Sequence, residues 1–596
     1  MRRLAIYAAL LLASPAAAQP FRVDYTLTVD PADLSGYAVE MRIPHAPATL
    51  RLAMAAHPEY DDRFFRYVRD FRVESAGGRA GTFVREDSVV WRIQPAGGDA
   101  VVRYRIELPP QTARVRTSWT AWLSPTGGLV GGPHSFMYVI GQERAPSRVE
   151  LRLPRGWTAA TSLEPAGGAF AYTAPDFATL MDSPMLVGRL RHWRFAVAGV
   201  PHEAAYWPRP DGVAFDTTAL VDALRGIVAQ SAAIFHGLPY RRFVFLLQDG
   251  AYGGLEHENS ASLGAPSEEL AGDRADFLLS AAHEYFHAWN EVRLRPAGWG
   301  GLSYLPPSPT RELWWTEGAT MYYADLVLRR AGLERSSRLE ALRSRLSSYL
   351  DNPGSAHVSP EQASWTVNDP PGANGGFSAD LWEQGRLIAT VLDLAIRDST
   401  AGRRSLDDVM RALVAEHPAP RGFTGMDVER TAGRVCGCSF HRFFERHVRG
   451  SELLDFAAAL RPLGLRTRVT MQPEVDSAGH PQPDLRVWAY TAPGERRPRL
   501  VIDDPRSAWA RAGLRTRDVV VAMNGAEMPD RRTFITALRA LHTGDRPRLD
   551  ILRDGHPLGV EVPVGGYQTT RVTFEDLPRV TAAQRAARAR WLAAAP

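Results

Sequence analysis

"AAHEYFHAWNEV", residues 281–292, sets His283 and His287 four apart with Glu284 directly after the first. On a helix, positions i and i+4 lie on one face, so the two imidazoles can converge on one ion. Zinc takes imidazole nitrogens at about 2.0–2.1 Å and, in a catalytic site, a third protein ligand with one position left open. Glu284 stands one residue along, where a general base would take a proton from an activated water. The competing reading is a buried helix whose histidines are satisfied by ordinary hydrogen bonds.

A third ligand decides between them. Glu317 lies in "LWWTEGAT" at the start of a second helix, after the Gly/Pro-rich "RPAGWGGLSYLPPSPT". A carboxylate beside Leu313, Trp314 and Trp315 is costly to bury without a partner, and a metal supplies one; a solvent-facing acid at a helix start is the bland alternative. Upstream, "GGLEHENS" puts Glu256 just after Gly253 and Gly254. Glycine lets the backbone approach closely, and an acid at the end of a cleft would pair with a free α-amine. The site read from the residues is therefore His283, His287 and Glu317 around one Zn²⁺ per chain, Glu284 as general base, and Glu256 with Gly254 on the substrate side.

Outward from this centre the chain divides by pattern. Its 596 residues exceed one core. Residues 1–18 of "MRRLAIYAALLLASPAAAQP" read as a secretory signal peptide: a basic start, a short apolar run, then Ala16-Ala17-Ala18. The mature chain is expected from about Gln19, exported, without a membrane span, and in the periplasm, with secretion as the alternative. The formal charge of +4 carries no basic block, so nucleic acid is not an expected partner. Residues 19–200 alternate apolar and polar residues, as in "FRVDYTLTV" and "SRVELRL", and predict an antiparallel β domain. Residues 201–345 carry the histidine and glutamate motifs of the zinc site. Residues 346–462 read as a helical domain closing the cleft, 463–568 as short strands with tight turns, and 569–596 as a helical tail. The class is multidomain α+β. The only cysteines, Cys436 and Cys438, read as two partly buried small residues near a helix start, because a bridge across one residue is strained.

In order, "GGLEH", "HEYFHAWNEVRLRP", "WTEG" and the C-terminal segment resemble the glycyl aminopeptidase family of zinc metallopeptidases, of gluzincin type. The resemblance spans nearly the whole mature chain. It implies a thermolysin-like catalytic domain, removal of N-terminal and often small residues from peptides, and the roles given above to His283, Glu284, His287, Glu317 and Glu256. The family's Tyr-Tyr-x-Lys-Gly stretch, whose second tyrosine donates to the oxyanion, corresponds here to Leu381-Trp382-Glu383-Gln384-Gly385. Trp382 keeps an N–H donor with different reach; Tyr322, Tyr323 and His257 are the other groups that could serve the oxyanion. "DDPRSAWARAGLRTRDVVVAMNGAEM" resembles bacterial PDZ domains, with Arg517 where glycine is usual. Such modules capture extended peptides at a sheet edge, so a peptide or protein ligand is an expected partner beside the substrate. Two further readings stay open: a weak or inactive peptidase fold that binds peptides in the envelope through its cleft and PDZ module, and an endopeptidase whose Glu256 merely lines the cleft.

Overall fold

The computed structural model describes residues 21–54, 64–108, 116–299, 309–492 and 494–594. The expected signal peptide and the mature start near Gln19 lie outside the described residues. The N-terminal domain is β, as its alternation predicts. Strand Val23–Thr28 buries Val23, Tyr25 and Leu27 and turns the residues between them outward. It sits inside a seven-stranded sheet, antiparallel to Gly36–Ile43 and parallel to Ser147–Arg152. Two four-stranded sheets complete the domain.

Across the expected boundary at residue 200 runs one antiparallel pair. "RHWRFAV" forms strand β1 (Arg191–Val197), which pairs antiparallel with β2 (Val200–Trp207) in the catalytic sheet rather than in the N-terminal domain. The tight turn at Val197–Val200 returns the chain directly onto its neighbour, and adjacent antiparallel strands pair more readily than distant ones. Helix α1 (Thr217–Phe235) follows, then β3 (Phe243–Gln248), β4 (Gly254–His257) and β5 (Ser260–Gly264), in sheet order β1-β2-β3-β5-β4. β3 is parallel to both β2 and β5, whereas β4 is an antiparallel edge. The run "FVFLLQ" is buried throughout because both faces of β3 are covered. Phe243, Phe245 and Leu247 join the helical core, while Val244 and Leu246 pack with Trp122 and Leu186 of the N-terminal domain.

Three helices then bring the site residues together: α2 (Ala275–Phe286), α3 (Leu313–Arg330) and, after α4 (Arg338–Asp351), α5 (Leu381–Ser399). α3 and α5 touch backbone to backbone at two glycines. A Cβ on Gly318 would stand 2.4 Å from the Gly385 Cα, and one on Gly385 would stand 1.9 Å from the Trp314 carbonyl. Only glycine permits that approach. Cys436 and Cys438 are joined in a disulfide at a helix C-terminus, not left apart at a helix start. Gly437 between them takes a left-handed φ of 68°, which lets the chain double back between the two sulfurs.

The C-terminal segment is an excursion from this body. Strand Leu465–Pro473 leaves it, the PDZ-like unit follows, and strand Gln568–Asp576 returns along the first as a two-stranded ribbon. The tail thus begins with a strand that its sequence did not announce. It ends in helix Ala582–Leu592, whose Trp591 is buried against the body with Arg338 over its ring. In the PDZ-like sheet, Leu500 donates its N–H to Asp518, so its antiparallel neighbour Ala489 turns its carbonyl to the opposite edge. There the Arg531 Nε–H donates to it at 2.6 Å. This edge of the sheet thus already carries a side-chain donor.

Candidate metal and catalytic site

α2 forms because Phe277, Leu278, Ala281, Ala282, Tyr285 and Phe286 give it a wide apolar face in the core. His287 caps the helix in α conformation, so it still stacks one turn beyond His283. The two Nε2 atoms lie 3.0 Å apart. α3 brings Glu317 against them: its Oε2 is 3.1 Å from His283 Nε2 and 3.8 Å from His287 Nε2. Three donors on one tetrahedral zinc stand about 3.3 Å from one another. The observed separations bracket that value.

The tautomer and charge also fit. His287 Nδ1–H donates to the Asn290 carbonyl at 2.8 Å, so in the neutral ring Nε2 is the nitrogen with the lone pair an ion would take, on the side of Glu317 and His283. Behind it the Glu291 carboxylate lies 3.6 Å from Nδ1. Glu256, Glu284 and Glu291 are all buried with the two histidines, and Glu317 is nearly so. Burial opposes charge on His287, yet Glu256, Glu317, Glu291 and Glu284 lift its imidazole to about 10. Burial likewise opposes ionisation of Glu317, but His287 and His283 hold its carboxyl down at about 2. Burial and then the neighbouring Glu256 push Glu284 well above the usual carboxylate range. Four acids around two imidazoles form a site that is short of a cation, and a divalent ion is what this donor set fits.

Glu284 is placed by the edge strand. A Cβ on Gly254 would meet the Glu284 Cγ at 2.3 Å and Oε1 at 2.5 Å, so this glycine gives the carboxylate its room. Residues two apart on a strand share a face, and Glu256 accordingly raises the charge cost of Glu284 from the same side. His257 faces the other way, its Nδ1 2.9 Å from Asp182 in the N-terminal domain.

Two groups in the quoted stretch were not singled out from sequence. Asn290, fully buried, reaches the carbonyls of Trp315 and Thr316 at 3.1 Å each and the Thr320 hydroxyl at 3.0 Å, tying the start of α3 to the end of α2. Glu291 holds φ at 124°, a region that side chains seldom adopt, to stand behind His287. The extension of the histidine motif to "HAWNE" was the available signal.

The structure separates the oxyanion-side candidates. Trp382 reaches the site, and its Nε1–H donates to Glu317 Oε2 at 2.8 Å. Tyr322 and Tyr323 are not brought there. The Tyr322 hydroxyl accepts from Arg338 at 3.2 Å, and Tyr323 stacks on Phe286 with ring centroids 4.4 Å apart. On α3 they fall five and six residues after Glu317, turned to the opposite side of the helix.

A parallel-cored sheet, a two-histidine helix and a glutamate on the next helix define a chain of the metallopeptidase class. Family models carry this further: Peptidase M61 N-terminal domain matches residues 24–189, M61 glycyl aminopeptidase matches 276–388, and a PDZ domain matches 487–564. The chain thus carries an M61 N-terminal domain, an M61 glycyl aminopeptidase domain and a PDZ domain in that order. It is similar in fold to an aminopeptidase N family protein from Idiomarina loihiensis, with TM-score 0.76 and 21% identity over 93% of this chain and 98% of that one. A curated relative, the polyketide synthase ThaG of Burkholderia thailandensis, is 29% identical over 305 residues, 49% of this chain. The chain spans only 4% of that protein's length.

Proposed function

We propose that this chain is an exported zinc aminopeptidase that removes N-terminal residues, small ones foremost, from peptides. The observation that carries the reading is the set of three donor atoms 3.0–3.8 Å apart within four buried carboxylates. His283, His287 and Glu317 would hold one zinc, which when bound polarises water and the scissile carbonyl. Glu284 takes the proton of the attacking water and returns it to the leaving amine nitrogen. Glu256, on the same strand face as Gly254, pairs with the substrate's α-ammonium and so limits cleavage to the first peptide bond. The apolar signal-like start supports export.

The test is a fluorogenic aminoacyl panel, with free and acetylated N-termini, on the zinc-loaded protein and on Glu284→Gln. Turnover of free-amine glycine and alanine substrates, abolished in Glu284→Gln with zinc retained, is expected. Undiminished activity of that variant would overturn the proposal, and equal cleavage of acetylated substrates would move it to an endopeptidase. One observation favours a second reading, a peptide-binding envelope protein with little turnover. The Trp382 N–H is committed to Glu317, leaving the oxyanion without the family's tyrosine donor. Losing one such donor costs on the order of 10²–10³ in rate. Silence across the panel, with one zinc bound and peptide still captured, would favour it.

A further inference from the structure

The stretch "TVNDPPGANGGFSAD", residues 366–380, leads into α5 and has no role in the metal site. It leans on the PDZ-like unit, where the Arg517 Nε–H donates to the Pro371 carbonyl at 3.1 Å. Between the two lies a cavity of about 260 Å³, with Asp369 and Trp382 on one wall and Trp488 and Asp503 on the other. Both tryptophans are 41% exposed, unusual for so large an apolar ring.

The chemistry of the walls is one-sided. Asp503 accepts a hydrogen bond from the Trp488 Nε1–H at 2.6 Å. Burial holds its carboxyl above the usual range, and among the described residues no arginine or histidine is paired with it. Basic residues number 70 in this chain, yet none of them lines the cavity among the described residues. Exposed indoles beside a carboxylate with no cationic partner favour a cation through both ring quadrupole and charge. One side chain links the cavity to the metal site. The Trp382 ring is on its wall while the same side chain's N–H bonds Glu317 at 2.8 Å. An extended chain advances about 3.3 Å per residue. A peptide leaving the Glu317 side and passing one indole would therefore enter the cavity roughly two to four residues beyond the scissile bond.

We propose that this cavity is a subsite for an arginine or lysine side chain downstream of the scissile bond, paired by Asp503 and flanked by Trp382 and Trp488. The inference rests on the aminopeptidase reading for the direction in which the peptide lies. It makes the PDZ-like unit a wall of the substrate cleft and the preferred substrate a peptide with a cationic residue near its N-terminus.

The test uses the full zinc-loaded chain and pentapeptides beginning with alanine, in which one arginine or one glutamate is moved through positions two to five. Rates and, on Glu284→Gln, binding by anisotropy of the labelled peptides are read for the parent and for Asp503→Asn. At the best position the arginine peptide is expected to exceed the glutamate peptide about tenfold in both readouts, and Asp503→Asn to bring that ratio towards one. Equal handling of the two peptides at every position, or a ratio untouched by Asp503→Asn, would overturn the subsite. If no peptide is turned over, the aminopeptidase reading fails by itself, and the binding ratio still decides the subsite. Each ratio compares two peptides on one protein sample, so loss of folded protein cannot imitate the result.

Discussion

Gly254→Ala isolates the placement of Glu284 from every other feature of the site. Gly254 does not need a left-handed φ, so the backbone accepts alanine. The new Cβ, however, would stand 2.3 Å from the Glu284 Cγ, where ordinary contact begins near 3.4 Å. The side chain must retreat by about 1.1 Å, because the clash runs from the Cγ at 2.3 Å through the Cδ at 2.6 Å to Oε1 at 2.5 Å and so displaces the carboxylate as a whole. A displacement of about 1 Å at a catalytic group costs about 10²-fold, or roughly 2.7 kcal/mol in the barrier. None of His283, His287 and Glu317 lies among the nearest atoms to that Cβ. The expected outcome is therefore kcat/KM on an alanyl coumarin amide about a hundredfold lower, with zinc content unchanged by atomic emission and a cooperative melt. Shortening the acid should relieve the clash, so the same substitution in a Glu284→Asp background should cost much less than in the parent. Activity of Gly254→Ala within threefold of the parent, or an equal cost in both backgrounds, would refute the reasoning.

Further outcomes follow from other contacts. Trp382→Phe removes the 2.8 Å bond to Glu317 and should weaken zinc about 10–100-fold, read by competition with a chelator of known affinity. Gly385→Ala would drive a methyl to 1.9 Å from the Trp314 carbonyl and should lower stability by at least about 1–3 kcal/mol in denaturant melts. His202 is buried, donates from Nδ1 to the Val200 carbonyl at 2.9 Å and meets the Tyr240 hydroxyl at 2.9 Å. Burial depresses its imidazole to about 4 against 6.5 in the unfolded chain. The unfolded state therefore binds the extra proton first, and the stability present above about pH 6.5 should fall as pH drops towards 4. The loss should be on the order of 1–3 kcal/mol, and urea melts of His202→Phe should show a flatter profile across that window.

What could be read in the sequence was whatever a short stretch determines by itself. The four-residue spacing of His283 and His287 needs only one helix, and "WTEG" announced Glu317 because a buried acid among tryptophans requires a partner. The alternation of "VDYTLT" gave its strand in register, down to which side chains face inward. Tyr322 and Tyr323 misled because nearness to Glu317 in the chain is not nearness on a helix, where five or six positions turn a side chain away. "HWRFAV" has the same alternation in either domain, so pattern could not say which sheet its edge would join. The edge role of Gly254 was legible only as permission for close approach; what approaches it, Glu284, comes from another element. Trp488 and Asp503 were invisible as site residues because they meet Trp382 only through the docking of two units more than a hundred residues apart in sequence.

The paired strands Leu465–Pro473 and Gln568–Asp576 bear on how the chain can be shortened in the laboratory. A stop codon placed before the PDZ-like unit would discard more than that unit. It would strip the returning strand from Ser347, whose hydroxyl accepts the Val572 N–H, and from Asp351, which accepts from Thr569 and Thr570. It would also remove the Trp591 carbonyl that accepts from Arg338, opening a hole where a whole indole is now enclosed. The clean deletion is a splice across the ribbon, joining its two strands by a short reverse turn beyond Pro473 and Gln568. Such a molecule keeps its terminal helix as a plug, and any activity it loses can be charged to the missing module alone.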